Sequence, residues 1–242
     1  MTEANSEGRS RAYYDDFATG YERERHYGYH ALLDELELGV ALPLAQGRDV
    51  LEVGCGTGLI LSRLHAVAHY AEGVDLSPGM LEKARERGLH VREASATALP
   101  YPDASFDVVL SFKVLAHVPD LSLALAEMAR VCRPGGLVLA ELYNPWSLRY
   151  LAKRLAGPGK ISEGRTEADV YTRWDRPTKV AALLPPELEL EEVRGLRVFT
   201  PAAFVHKIPL LGPVLARAEH AVTRSPLRWF GGFLVVVAKK RA

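Results

Sequence analysis

The segment Val50-Leu51-Glu52-Val53-Gly54-Cys55-Gly56-Thr57-Gly58-Leu59-Ile60 constrains this chain more than any other. It sets a glycine-rich turn directly between an apolar strand and a helix. Glycine admits dihedrals closed to other residues and carries no Cβ, so the backbone can approach a ligand while the helix N-terminus presents its N–H groups. In a parallel α/β sheet, such a turn is where a nucleotide-like ligand binds.

The rest of the chain supports that sheet. Short runs rich in Val, Ile or Leu predict strands at 49–53, 71–76, 89–93, 106–112 and 137–142, each followed by a helical or turn segment. Helices are predicted at 58–65, at 78–87 with Ser77 as N-cap and at 122–131, stopped by Arg133-Pro134-Gly135-Gly136. This alternation implies parallel strands with crossover helices. Beyond residue 142 the rhythm changes. Helical stretches at 145–156, 178–184 and 201–222 surround a strand near 190–198, and an apolar strand at 233–239 completes the sheet. Residues 11–38 read as a tyrosine-rich helical cap.

Bulk properties narrow the class. The chain has 242 residues, 30 Lys and Arg against 30 Asp and Glu, and two cysteines, Cys55 and Cys132, with no pairing pattern. A balanced charge argues against a protein that wraps nucleic acid. The N-terminus lacks the apolar run of a signal peptide and no stretch is long enough for a membrane span, so the cytoplasm is the expected location. The balance hides an asymmetry: residues 1–142 carry 13 basic against 21 acidic side chains, residues 143–242 carry 17 against 9. The C-terminal part could favour an anionic substrate or surface, or simply present a solvated basic face.

The glycine spacing discriminates between ligands. A dinucleotide fingerprint, G-x-G-x-x-G, needs glycine where this chain has Leu59, its third glycine being Gly58. Glu52 ends the first strand with a carboxylate, which repels a pyrophosphate and welcomes a cation. S-adenosylmethionine fits this better than NAD. Asp75, at the end of the second strand, can accept from both ribose hydroxyls, and Leu76 and Met80 could sandwich the adenine.

Glu52-Val53-Gly54-Cys55-Gly56-Thr57-Gly58 followed by Asp75 resembles the first two motifs of class I S-adenosylmethionine-dependent methyltransferases. Ala98-Leu99-Pro100-Tyr101, Ser105-Phe106-Asp107-Val108-Val109, Leu115-Ala116-His117-Val118-Pro119-Asp120 and Arg133-Pro134-Gly135-Gly136 resemble the later landmarks of their ubiquinone/menaquinone-biosynthesis-like small-molecule subgroup. The resemblance spans about residues 49–142. It implies an α/β fold: a Rossmann-like, seven-stranded, mostly parallel sheet with helices on both faces and helical cap and lid insertions. One domain would fill 1–242, with a cap at 1–45, a cofactor-binding core at 46–142, lid insertions at 143–180 and 200–230, and the last strand at 231–242. The subgroup's acidic residue that meets the adenine amino group aligns with Ser95, which leaves that contact to the Ser95 hydroxyl and the Ala96 N–H. Phe112 and Lys113, ending the fourth strand, and Tyr21 and Arg25 in the cap complete the expected cofactor set, Arg25 reaching for the methionine carboxylate. No residue is assigned to a metal.

The expected reaction is methyl transfer to a small apolar or aromatic acceptor. His117, because an imidazole can titrate near neutral pH, is the candidate general base, with Tyr143 a further catalytic candidate. Ser111-Phe112-Lys113-Val114 is not the Asn/Asp-Pro-Pro-aromatic motif of amino methylation on adenine or glutamine amides. On the helix after residue 145, Leu148, Leu151, Ala152 and Leu155 share one face, with Arg149, Lys153 and Arg154 outside it. Such faces would suit a quinone, polyketide or lipid acceptor, a peripheral membrane contact, or plain packing against the sheet. Two other readings stay open: a catalytically silent S-adenosylmethionine-binding protein, and an NAD-dependent oxidoreductase.

Overall fold

The computed structural model describes residues 28–157, 160–162, 165–166 and 171–242. Helix α1 (Gly28–Ala45) leads into β1 (Asp49–Val53), α2 (Leu59–His65), β2 (Tyr70–Asp75), α3 (Pro78–Glu86), β3 (His90–Glu93) and β4 (Phe106–Ser111). A 3₁₀ turn (Leu115–His117), α4 (Leu121–Val131), β5 (Cys132–Tyr143) and α5 (Leu148–Ala156) follow. A hairpin of β6 (Lys160–Ser162) and β7 (Arg165–Thr166), the single turn α6 (Val180–Leu183), β8 (Leu188–Leu196), α7 (Leu211–Val222) and β9 (Phe233–Lys240) complete the described chain.

The main sheet has seven strands in the order β3-β2-β1-β4-β5-β9-β8. β1 to β5 pair in parallel, while β9 runs antiparallel between β5 and β8. Strand order reverses between β1 and β4, which opens a crevice at their C-terminal ends. The period of two decides the two cores. Val50, Val108, Leu110 and Leu139 face α1 and α2, whereas Leu51, Val109, Val138 and Ala140 face α4. Burial on both faces explains why these strands read as continuous apolar runs.

Local chemistry starts the helices where expected. Ser77 Oγ accepts from Met80 N–H at 3.2 Å with Pro78 in the first turn of α3, Asp120 caps α4 through Leu123 N–H at 2.9 Å, and Ser147 caps α5 through Tyr150 N–H at 3.1 Å.

Four features differ from the sequence reading. Arg133-Pro134-Gly135-Gly136 does not separate helix from strand: β5 already begins at Cys132, paired with Phe106, and the register shifts before Leu137 pairs with Val108. The motif is therefore a bulge, pinned by Arg133, whose Nη1 bonds Asp107 at 2.8 Å and Asp49 at 3.0 Å. The stretch 201–222 is not one helix. It divides into a 3₁₀ turn (Ala203–Lys207) and α7, with Pro209 in the break and Leu210 at φ 67°. Helix α1 runs on to Ala45 with Pro43 inside it, where the cap was expected to end its helices at residue 38. Finally, α5 lies the other way round: Arg149 is buried, while Leu148, Leu151 and Leu155 are exposed, Leu155 by 79%. The Arg149 guanidinium stacks on Tyr143, Phe233 and Trp174 at 4.1, 4.7 and 4.9 Å from their ring centres, and three aromatic faces outweigh one aliphatic seam.

The second insertion is anchored on the sheet by Glu219, 1% exposed, which accepts from Val198 N–H, Phe199 N–H and the Thr200 hydroxyl at 2.6 to 2.9 Å. Among the described residues no helix is long and apolar enough to cross a membrane.

Candidate active site

A cleft enclosing about 1100 Å³, its open mouth included, lies over the C-terminal ends of β1, β2 and β4. Glu52, Gly54, Cys55, Gly56, Asp75, Leu76, Met80, Ser95, Ala96, Phe112, Lys113 and His117 all line it.

The glycine loop is tied to β2. Gly54 and Cys55 N–H both donate to the Val74 carbonyl, at 2.7 and 2.9 Å. Gly54 has φ 79°, and a Cβ there would overlap the Val114 side chain. Gly56 has φ 54° and open space where its Cβ would be, so the backbone itself forms the cleft wall. Gly58 does not line the cleft; it lets Leu89 and Ala84 pack against the start of α2. Cys55 is buried beside Gly73, and burial pushes its thiol well above the ordinary range.

Asp75 closes the loop from the opposite strand. Its Oδ2 accepts from Gly56 N–H at 2.8 Å and its Oδ1 from Ser77 N–H at 2.9 Å. Ser95 shares a hydrogen bond with Thr97 Oγ1 at 2.7 Å and accepts from Thr97 N–H, a small turn that brings Ala96 to the cleft.

Glu52 Oε2 is buried without a hydrogen-bond partner among the described residues. Burial, then repulsion from Glu37, holds this carboxyl well above the ordinary range. It belongs to a group of acids: Lys113 Nζ lies 2.8 Å from both Asp34 and Glu37, and Lys113 N–H donates to Glu141 at 3.1 Å. Lys113 adopts φ 60° to do this. Its ammonium therefore serves the carboxylates of α1, although the residue borders the cleft.

His117 lines the same cleft. Its Nδ1 lies 2.8 Å from the Tyr171 carbonyl and its Nε2 3.4 Å from the Tyr143 hydroxyl. Tyr143 is buried behind the histidine and outside the cleft lining, packed edge-on to its ring with centres 5.5 Å apart. Burial holds its phenol above the ordinary range. Tyr21 and Arg25 lie outside the described residues.

The sequence reading missed Asp34, Glu37, Glu141 and the segment 171–175. Two of these carried a signal. Glu37 shares an i, i+3, i+4, i+7 face with Leu33, Leu36 and Val40, and Glu141 interrupts an apolar run in β5; a carboxylate at a core position needs a reason to be there. The segment 171–175 reaches His117 only through long-range contacts, which no spacing encodes.

The residues present fit S-adenosylmethionine. The carboxylates of Glu52 and Asp75 border the loop, and Leu76 and Met80 add apolar lining. A pyrophosphate would meet the carboxylates of Glu52 and Asp75, which both line the cleft.

Comparison with known proteins agrees. The methyltransferase domain family matches residues 51–140. A ubiquinone biosynthesis O-methyltransferase of Thiobacillus denitrificans is 31% identical over 174 residues, 69% of this chain and 74% of that protein. The O-methyltransferase cnsE of Penicillium expansum is 39% identical over 118 residues, 45% of this chain and 43% of that protein. The chain spans about half the length, or less, of several curated relatives it matches. The crystal structure of a SAM-dependent methyltransferase of Thermotoga maritima, described as a possible histamine N-methyltransferase, superposes with a TM-score of 0.70 at 23% identity, covering 96% of this chain and 99% of that one. Sheet order, glycine loop, second-strand aspartate and a relative aligned over most of its length together show that the chain belongs to the class I S-adenosylmethionine-dependent methyltransferases.

Proposed function

We propose that the protein transfers the methyl group of S-adenosylmethionine to a small apolar or aromatic acceptor. The observation that carries this reading is a single cleft lined by the glycine loop, Glu52 and Asp75 together with His117 and Phe112. When bound, S-adenosylmethionine supplies a methyl group on a sulfonium, open to in-line displacement. Asp75 holds the ribose hydroxyls, Leu76 and Met80 flank the adenine, and Ser95 with Ala96 N–H meets its edge. Glu52 serves the amino-acid end, for which Tyr21 and Arg25 are the further candidates in sequence. Binding there aligns the reacting atoms, which is the larger part of catalysis for such a displacement.

His117 then takes the acceptor's proton, its Nε2 lying 3.4 Å from the Tyr143 hydroxyl. A hydroxylated aromatic acceptor suits this pair, and the relative named for ubiquinone biosynthesis supports an O-methyl product. The acceptor reaches the site from an apolar surface. Phe204, Leu210 and Val214 are 65%, 85% and 59% exposed, and Leu151 and Leu155 project from α5. In Trp146–Gly157 and Ala203–Phe230 the one carboxylate is Glu219, which is buried, whereas Arg154, Lys207, Arg217 and Arg224 are exposed. An apolar surface with cationic neighbours fits an anionic lipid bilayer.

Titration with S-adenosylhomocysteine and with NADH, followed by a screen of hydrophobic phenols, amines and quinones for methyl uptake, tests the reading. Homocysteine-analogue binding with uptake by a phenol is expected. NADH binding without S-adenosylhomocysteine binding would overturn it, and analogue binding with no uptake on any acceptor class would leave a silent binding protein.

A further inference from the structure

Residues 171–175 form a strap without regular secondary structure that packs against the turn carrying His117. Arg173 N–H donates to the Ala116 carbonyl at 2.8 Å, and Asp175 N–H donates to the Tyr143 carbonyl at 2.7 Å. The strap thus joins the turn that carries His117 to the end of β5. An ion pair locks it: Arg173 Nε and Nη2 bond the two Asp175 carboxylate oxygens at 2.9 and 2.7 Å, with Asp175 buried. Between them Trp174 packs on Tyr143 and Tyr150, ring centres 5.5 and 4.8 Å away. The Tyr171 carbonyl comes to 2.8 Å from His117 Nδ1, with Thr172 Oγ1 at 3.4 Å from the same nitrogen.

A carbonyl oxygen can only accept, so the Tyr171 contact requires a proton on Nδ1. A neutral His117 ring then carries its lone pair on Nε2, because the partner of one ring nitrogen decides the state of the other. We propose that the strap 171–175 is the positioning device for His117: the Arg173–Asp175 pair holds the Tyr171 carbonyl where it fixes the Nδ1–H tautomer and leaves the ring lone pair on Nε2, 3.4 Å from the Tyr143 hydroxyl. Arg173 and Asp175 are positioning residues in this scheme, acting through the backbone and not on the acceptor. The catalytic consequence rests on His117 being the base; the tautomer does not.

The test is two-bond ¹H–¹⁵N correlation on the full chain labelled with ¹⁵N-histidine, the His117 ring being assigned from its loss in His117→Gln. At a pH where the ring is neutral, the expected native spectrum shows Nδ1 protonated and Nε2 bare; the opposite tautomer would overturn the proposal without any variant. In Asp175→Ala the expected result is a shift towards the Nε2–H form, with S-adenosylhomocysteine affinity by calorimetry at the native level to show an intact cleft. Arg173→Lys, which keeps a donor to Asp175, should retain the native tautomer. An Asp175→Ala ring that keeps Nδ1–H would overturn the strap's role. Full methyl uptake by His117→Gln beside a strap-dependent tautomer would remove the base and leave the strap. Loss of uptake beside a native Nε2–H ring would do the reverse.

Discussion

At the scale of single residues, the carboxylates carry most of the specificity, and their surroundings decide what each can do. Asp75 is built into the loop through Gly56 and Ser77 N–H, so its loss removes both a ribose acceptor and the loop's closure. Asp75→Ala is expected to weaken S-adenosylhomocysteine binding by about 1–3 kcal/mol, read by calorimetry; unchanged affinity would refute the ribose role. Glu52 and Glu141 behave differently, being held above the ordinary carboxylate range by burial first and by Glu37 second. A carboxyl with a raised folded value keeps its proton after the unfolded chain has lost its own, so stability falls as pH rises from the ordinary glutamate range upward. Glu141→Gln keeps an acceptor for Lys113 N–H and removes one such group. Its urea midpoint should therefore decline less than the native one between about pH 5 and pH 8; equal declines would mean that Glu141 ionises freely in the fold.

At the scale of elements, short-range chemistry made most helix starts readable. Ser77 and the following proline mark α3 because a capping hydroxyl and a fixed φ act within one turn. The errors came where a distant partner overrode the local signal. Arg133-Pro134-Gly135-Gly136 spells a stop, yet Asp49 and Asp107 draw Arg133 in and turn the motif into a bulge. Arg149 spells a solvent-facing charge, yet β5, β9 and the strap supply three aromatic faces for it. The loop after β1 depends on both scales. Gly54→Ala should destabilise the fold by about 1–3 kcal/mol, since it combines a left-handed φ with overlap on Val114. Adding Val114→Ala should recover only the steric part, as measured by urea denaturation; full recovery would show that the backbone conformation costs nothing.

At the scale of the whole molecule, the cleft and the apolar surface are separate parts of one proposal. Flotation with vesicles containing an anionic phospholipid should carry the protein, whereas phosphatidylcholine vesicles should carry much less. Phe204→Glu with Leu210→Glu should abolish flotation and leave S-adenosylhomocysteine affinity as it was, because neither side chain borders the cleft. Flotation unaffected by these changes would refute a lipid contact at this surface.

The sequence by itself determined the sheet, the glycine loop and the identity of the second-strand aspartate, because strand periodicity, left-handed turns and helix caps are properties of neighbours along the chain. Only the tertiary structure decided that Glu52 and Glu141 are buried near Glu37, that Lys113 faces α1, and that the Tyr171 carbonyl meets His117 Nδ1. Those outcomes depend on burial and on partners 28 or more residues away in sequence, such as Lys113 with Glu141 and His117 with Tyr171 at 54 residues. The loop that opened the reading is a strand-to-helix turn in sequence; Val74, Val114 and Asp75, brought to it by folding, make it one wall of a site.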